Sequence, residues 1–354
     1  MPDWSRSMQQ TYEFMTVNPR TWVDQEKLSD ITQATITRDD DDETCSSASI
    51  DCDHDLSDTY VRVYLRTVQD NISERIPLGT FLCQTPGQKY DGKKHSMSAD
   101  GYSPLVELNE NYLPYGFAIP KGDNILVRSR QLVRDYLRAP VLDDKSERLL
   151  QLDFVSEPSE KVLPFVNDLL ANDGRKLGLD EMGRVIFPIQ QDITMLEPRW
   201  TYTDDNSSIL YPEVQLTRDL YGVPNVVEVL YSGNDVTPIY VRVENNDRNS
   251  VVSIPARGRE IVHRDTNPDL SGTDLTEPQI EEYAQNLLKT LSSLEYEISY
   301  THGYCPVRIG DCVRLDYRRA GLIGVKAKVT RQIINCIPGC PVQETAVFTK
   351  KLWG

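Results

Sequence analysis

Between Pro224 and Leu315 the hydrophobic pattern changes period twice, which restricts this part of the chain to β structure carrying one inserted helix. Val226-Val-Glu-Val-Leu-Tyr231 and Ile239-Tyr-Val-Arg-Val243 are β-branched, apolar runs. Ser232-Gly-Asn-Asp235 lies between them and has the composition of a tight turn, so the pair predicts a hairpin. Thr276-Glu-Pro-Gln279 is a capping box with proline at the second helical position. Behind it Ile280, Tyr283, Ala284, Leu287, Leu288, Leu291 and Leu294 recur every three or four residues and predict an amphipathic helix over 277–294. Alternation returns at 296–300. In Pro306-Val-Arg-Ile-Gly-Asp-Cys-Val-Arg-Leu315, Gly310-Asp311 sets a turn just ahead of a further strand. No residue here has the setting of a nucleophile or a metal cage. The stretch is built to pack and assemble.

The N-terminal hundred residues share the two-residue period. Ile31-Thr-Gln-Ala-Thr-Ile-Thr37, Tyr60-Val-Arg-Val-Tyr-Leu65 and Leu78-Gly-Thr-Phe-Leu82 predict three strands. Between the first two, positions 39–58 hold nine acids and neither Lys nor Arg. The simplest expectation is one solvated hairpin loop. Its functional counterpart is a charged wall facing a pore, with Asp39, Asp40, Asp41, Asp42 and Glu43, or Asp51, Asp53, Asp55 and Asp58, on a channel or its rim. Residues 1–100 carry 18 acids against 10 bases, half of the chain's net charge of -16. Such a balance argues against tight nucleic-acid binding, which needs Lys and Arg to displace counterions. It is compatible with a polyanion sliding past without sticking.

Residues 105–200 change to helical spacing and predict a small α/β module. Asp123 is placed to cap a helix ending near Arg138, with Ile125, Leu126, Leu132, Val133, Tyr136 and Leu137 on one face. Arg128, Arg130, Arg134 and Arg138 share the other face. Among so many acids they read as solvated or salt-bridged rather than phosphate-binding. A second helix starts near Leu163, keeps Pro164 in its first turn, and has Gly174 beyond its end. Short strands flank it at 152–155 and 185–187. The chain thus divides into 1–104, 105–200 and 201–354, with strands also expected at 312–316, 325–334 and 345–350. A length of 354 residues suits two to three domains.

Catalytic signatures are missing. His54, His95, His263 and His302 show no metal-ligand spacing, and no phosphate-loop, dinucleotide or nucleophile-elbow motif occurs. His54 sits inside the acidic run. Mean hydropathy is -0.46, no apolar run approaches the ~20 residues of a membrane span, and the N-terminus lacks a signal pattern. The expectation is a soluble chain, inserted in no membrane, folding in a reducing cytoplasm. Seven cysteines make a complete disulfide framework improbable there. Cys305 with Cys312, and Cys336 with Cys340, fit zinc spacing poorly. Buried idle thiols and a metal or Fe–S site stay open for them, as does a disulfide between Cys336 and Cys340 formed in an oxidising medium.

Tyr60-Val-Arg-Val63 recurs as Tyr240-Val-Arg-Val243, each after an earlier strand and an acidic or Asn/Asp turn. The order of several further stretches resembles the trimeric baseplate hub, or tail hub, proteins of bacteriophage tails. These are Tyr12-Glu-Phe-Met-Thr-Val-Asn-Pro19, Leu78-Gly-Thr-Phe81, Ser98-Ala-Asp-Gly-Tyr102, Pro224-Asn-Val-Val-Glu-Val229, Ser253-Ile-Pro255, the helix from Thr276, and 306–315. The four C-terminal cysteines depart from that pattern. The resemblance implies a mainly β fold with α+β insertions, in which two tail-tube-like β-barrel domains flank the α/β module. It implies a non-enzymatic virion protein needing no cofactor, a homotrimer that matches a sixfold tail tube to a threefold tip. The expected partners are a tube or distal tail protein above, a tip, spike or fibre protein below, and the tape measure protein in the lumen. DNA would pass without specific binding. A tail-associated cell-wall hydrolase, a distal tail protein and a secretion-spike base are the rival readings.

Overall fold

The computed structural model describes the whole chain except residues 1, 54, 93, 207, 219, 233–237, 267, 269–275 and 352–354. The predicted turn between 231 and 239 therefore lies mostly outside the described residues, as does His54.

Seven strands occupy the first hundred residues: β1 (Gln9–Val17), β2 (Asp24–Leu28), β3 (Gln33–Asp39), β4 (Ser46–Cys52), β5 (Thr59–Gln69), β6 (Ile72–Asp91) and β7 (Lys94–Tyr102). β5 lies between β1 and β6, with Phe14 opposite Val63 and Val61 opposite Phe81. The run from Tyr60 to Leu65 is buried without alternation, as expected for a strand covered on both faces. The acidic run does not form one loop. Its middle, Ser46-Ser-Ala-Ser-Ile-Asp-Cys52, is β4, with Ala48, Ile50 and Cys52 buried in strict alternation. Small serines between those apolar residues let β4 pair with β3 and β7.

The middle segment is helical, as its spacing predicts. α1 (Val106–Glu110) is followed by β8 (Ala118–Ile119), α2 (Ile125–Tyr136), β9 (Phe154–Val155), α3 (Val162–Ala171), β10 (Gly178–Leu179) and β11 (Val185–Ile186). The cap of α2 is Asn124, whose side chain accepts from the Val127 N–H at 2.9 Å. The neighbouring Asp123, expected in that role, instead pairs with Arg128 at 2.6 Å. Arg130 and Arg134 reach Asp143, and Arg138 reaches Glu107. This arginine face is salt-bridged, as expected. α3 carries Pro164 in its first turn, and Gly174 beyond its end has φ +64°. Leu126, Val133, Leu163, Phe165, Val166 and Leu169 form a core that also takes in Tyr60 and Leu82 from the sheet and Trp22 from the β1–β2 connection.

β structure resumes with β12 (Trp200–Thr203), β13 (Leu210–Arg218), β14 (Val226–Tyr231) and β15 (Ile239–Glu244). A single-turn helix α4 (Ile254–Arg257), strand β16 (Val262–Thr266) and helix α5 (Glu277–Leu291) follow. The last strands are β17 (Ser293–Gly303), β18 (Cys312–Asp316), β19 (Val325–Asn335) and β20 (Pro341–Lys351). α5 opens on the predicted capping box, but Ser292 caps its end and Leu294 already belongs to β17. One long hydrogen-bonded series runs β13-β17-β20-β19-β3-β4-β7-β6-β5-β1-β2, with β18 also on β19 and β12 parallel to β18. Among the described residues this series is open from β13 to β2. Ile36 on β3 stands opposite Ile334 on β19, so strands from both ends of the chain share one sheet.

By compactness the chain forms two units. One comprises Met1–Val214 with Ser299–Ala346, the other Gln215–Ile298 with Val347–Gly354. The second unit contains the three-stranded sheet β15-β14-β16, against which α5 buries Ile280, Ala284 and Leu288 on Val227, Val229 and Val241. Each such side chain contributes about 1.5–3 kcal/mol on full burial for the larger aliphatics.

Candidate functional site

The nine acids of positions 39–58 fall into two groups at opposite ends of β4. Asp39 to Glu43 lie on the turn from β3, and Asp53, Asp55 and Asp58 follow the strand, with Asp51 near its end. Seven strand residues separate the groups by roughly 20 Å. Asp39 pairs with Arg331 at 3.5 Å. Asp40 lies between Lys176 and Lys328, the latter at 2.6 Å. Asp41, Asp42 and Glu43 are exposed, Asp42 accepting from the Thr44 N–H and hydroxyl. Asp53, Asp55 and Asp58 are exposed as well, and Asp55 accepts from the Ser57 N–H.

Behind the β3–β4 turn opens a cleft of about 730 Å³ within the first unit. The turn, the middle of β6, the β10–β11 hairpin and the loop 308–312 line it. Its charges answer one another. Glu181 takes Arg308 at 2.5 Å and Arg38 at 4.0 Å, and the Asp40 pairs close another wall. Burial raises the Asp311 carboxyl above the ordinary carboxylate value, although the Arg308 N–H donates to it at 2.9 Å. Burial likewise pushes the Cys45 thiol up to about 12 and raises Cys312. Neither thiol is a nucleophile near neutral pH, since the thiolate is the reactive form. In the same cleft, burial and then the neighbouring Lys328 lower the Lys176 ammonium to about 8.

Deeper in the same unit is a polar cluster that sequence reasoning did not find. Glu344 is fully buried and accepts from Tyr300 at 2.6 Å, Tyr202 at 3.2 Å and Gln332 at 2.6 Å. His302 Nε2 lies 3.3 Å from Glu344 Oε2, the oxygen that Gln332 also donates to, and His302 Nδ1 is 2.7 Å from the Gly303 carbonyl. Burial alone would drive His302 toward the neutral form, yet the Glu344 carboxylate raises its pKa above the ordinary value. Burial alone would protonate Glu344, yet His302 and the hydroxyl donors hold it below the ordinary value. Each group therefore favours the charged form of the other. The available signal was phase: Glu344 shares the inward side of β20 with Val342 and Ala346, where a carboxylate must have partners.

Cys305, Cys312, Cys336 and Cys340 are all buried and free. Cys305 Sγ lies 3.4 Å from the Tyr202 hydroxyl. Among the described residues, no three His, Cys, Asp or Glu side chains gather so as to hold a metal ion.

No family model matches the chain, and no curated protein matches it significantly. Solved structures do, and what they share with this chain is the fold of phage tail proteins. The tail protein from Neisseria meningitidis MC58 superposes with a TM-score of 0.63 at 12% identity, covering 97% of this chain and 98% of that one. The 43 kDa tail protein of prophage MuSo2 from Shewanella oneidensis gives 0.63 at 10%, covering 96% and 98%. An E. coli component of the type VI secretion system, described as structurally similar to T4 tail proteins, gives 0.50 at 9%, covering 92% and 75%. At these identities the likeness is one of fold.

Proposed function

We propose that this chain is a structural virion protein, the trimeric hub of a tail baseplate. The observation that carries the reading is coverage. Two tail proteins match over nearly their full length and nearly all of this chain, so the whole architecture is shared, not one borrowed domain. In this reading the N- and C-terminal β regions act as two tube-type barrels around the module of 105–200. Three copies then present six barrels to a sixfold tail tube or distal tail protein and a threefold face to a tip, spike or fibre protein. The tape measure protein and DNA pass through the ring. Exposed Asp41, Asp42, Glu43, Asp53, Asp55 and Asp58 supply acidic surface that repels phosphate and keeps DNA from sticking.

The test is a subunit count. Mass photometry and particle images of the purified ring should give three copies. Six would favour a distal tail protein, and a monomer within assembled particles would overturn the hub reading. A peptidoglycan-degrading activity of the purified chain would replace it with the hydrolase. The likeness to a component of the type VI secretion system favours one second reading, the base of a secretion spike.

A further inference from the structure

The β19–β20 hairpin ends in Cys336-Ile-Pro-Gly-Cys340, and its geometry is closed around both thiols. The Cys340 N–H donates to the Ile337 carbonyl at 2.9 Å, with Pro338 second in the turn and Gly339 third at φ +90°. That is a type II turn, for which proline and glycine are the suited residues at those places. Asn335 and Pro341 are the last and first residues of the two strands, so Cys336 and Cys340 flank the three exposed turn residues at the hairpin neck. Cys340 adopts φ +41°, unusual for a residue with a side chain.

The neck is anchored on both sides. The Cys336 N–H donates to the Ala34 carbonyl at 3.0 Å, and the Tyr12 hydroxyl donates to the Ile337 carbonyl at 2.7 Å. Ile337, Pro338 and Gly339 are exposed while both cysteines lie beneath them, 9% and 0% accessible. The Tyr12 phenol is held above its ordinary range by burial first, then by Cys340 and Cys336. The two cysteines are thus four residues apart on a closed turn that the Tyr12 hydroxyl ties down.

We propose that Cys336 and Cys340 are a disulfide site, open in the reduced chain and closed by a low-molecular-weight disulfide such as oxidised glutathione. The Cys336 thiol, the more accessible, loses its proton and its thiolate attacks one glutathione sulfur. One glutathione thiolate leaves and takes that proton. Cys340, deprotonated in turn, attacks the Cys336 sulfur of the mixed disulfide and expels the second glutathione. Two protein thiols and one oxidised glutathione become one protein disulfide and two reduced glutathiones. Burial raises the Cys336 thiol and sets Cys340 at about 11, so the reaction is slow at neutral pH and quickens about tenfold per pH unit between 7 and 9. The biological moment of closure rests on the tail reading, in which the chain leaves a reducing compartment. The chemistry does not, so its failure and a wrong subunit count are separate results.

The experiment uses the full chain. It is incubated with oxidised glutathione at several pH values, alkylated with N-ethylmaleimide and digested with trypsin. Peptide 332–350 contains these two cysteines and no others. The expected result is that peptide unalkylated and about 2 Da lighter than its reduced form, the loss of two hydrogens. The oxidised chain should also melt a few degrees higher. Recovery of the peptide with two alkyl groups, or with glutathione attached, would overturn the proposal. Cys336→Ser and Cys340→Ser should each leave the remaining sulfur alkylated or glutathionylated. The wild-type peptide mass decides the matter even if either variant folds poorly.

Discussion

Tyr60-Val-Arg-Val63 and Tyr240-Val-Arg-Val243 are identical in sequence and unlike in surroundings. In β5 the Tyr60 side chain is 2% exposed, its hydroxyl donating to Glu107 at 2.5 Å. Arg62 is 1% exposed and reaches Asp24 at 2.7 Å, Thr80 at 2.8 Å and the Met182 carbonyl at 3.0 Å. In β15 Tyr240 is 56% exposed, and Arg242 lies on the open face among Glu228, Glu244 and Glu260 at 2.7–2.8 Å. Only Val241 is buried comparably, against α5. β5 is flanked by β1 and β6 and covered on both faces, whereas β15 is an edge strand covered on one. The same four residues are a fully enclosed segment in one place and an amphipathic one in the other. Neighbours in the sheet, not the tetrapeptide, decide whether an arginine becomes structural.

The sharpest way to break this comparison is to remove each arginine. Arg62→Ala removes the buried cation from Asp24, Thr80 and the Met182 carbonyl, while Asp24 keeps Tyr64 and Arg75 and the carbonyl keeps Trp22, so it should cost about 3 kcal/mol. Hydrogen exchange across β5 should accelerate accordingly. Unchanged protection would mean the enclosed arginine is dispensable. On the other side, the apolar contact should dominate. Leu288→Ala, opening space under the three-stranded sheet, should cost about 2–4 kcal/mol in exchange from β14 and β15 while β5 stays protected.

Smaller, and specific to the enclosed unit, is a pH slope from His302 and Glu344. His302 is raised above 6.5, so its contribution is complete below 6.5 and is lost as pH rises through the higher folded value. Glu344 is lowered from 4.5, so its contribution is present above 4.5 and is lost as pH falls through the lower folded value. The pair therefore stabilises most between about 4.5 and 6.5, and stability should decline from pH 6.5 toward 9 by at most about 1.4 kcal/mol per pH unit. Urea unfolding at pH 6 and pH 9 measures this, and His302→Asn should flatten the slope. The smallest effect belongs to Arg242→Ala, which should leave the urea midpoint unchanged, because an exposed ion ladder is screened by water and salt.

Local pattern made some elements legible. α5 was readable because a capping box and an apolar stripe agree over fifteen residues. α2 was readable apart from its cap, where Asn124 and Asp123 are both suitable and the local pairing of Asp123 with Arg128 leaves Asn124 to cap. β4 was hidden because its serines resemble loop and acids flank it, although Ala48, Ile50 and Cys52 keep the period. The Glu344 cluster was hidden for another reason. Its members come from positions 202, 300, 302, 332 and 344, and nothing local brings them together. Of the nine acids, sequence could not tell that Asp40 spends its charge on Lys176 and Lys328 while Asp41 faces water.

The pairing of β3 with β19 has a consequence for how the molecule is made. Ile36 meets Ile334, 298 positions later by subtraction of their numbers. A ribosome adding about 5–20 residues per second needs roughly 15–60 s to deliver that partner. Until then the β3 edge is a bare row of amides and carbonyls, able to pair with any strand that arrives first. The N-terminal sheet must wait for the C-terminal strands, and crowded synthesis of several copies would put neighbouring chains in competition for that edge.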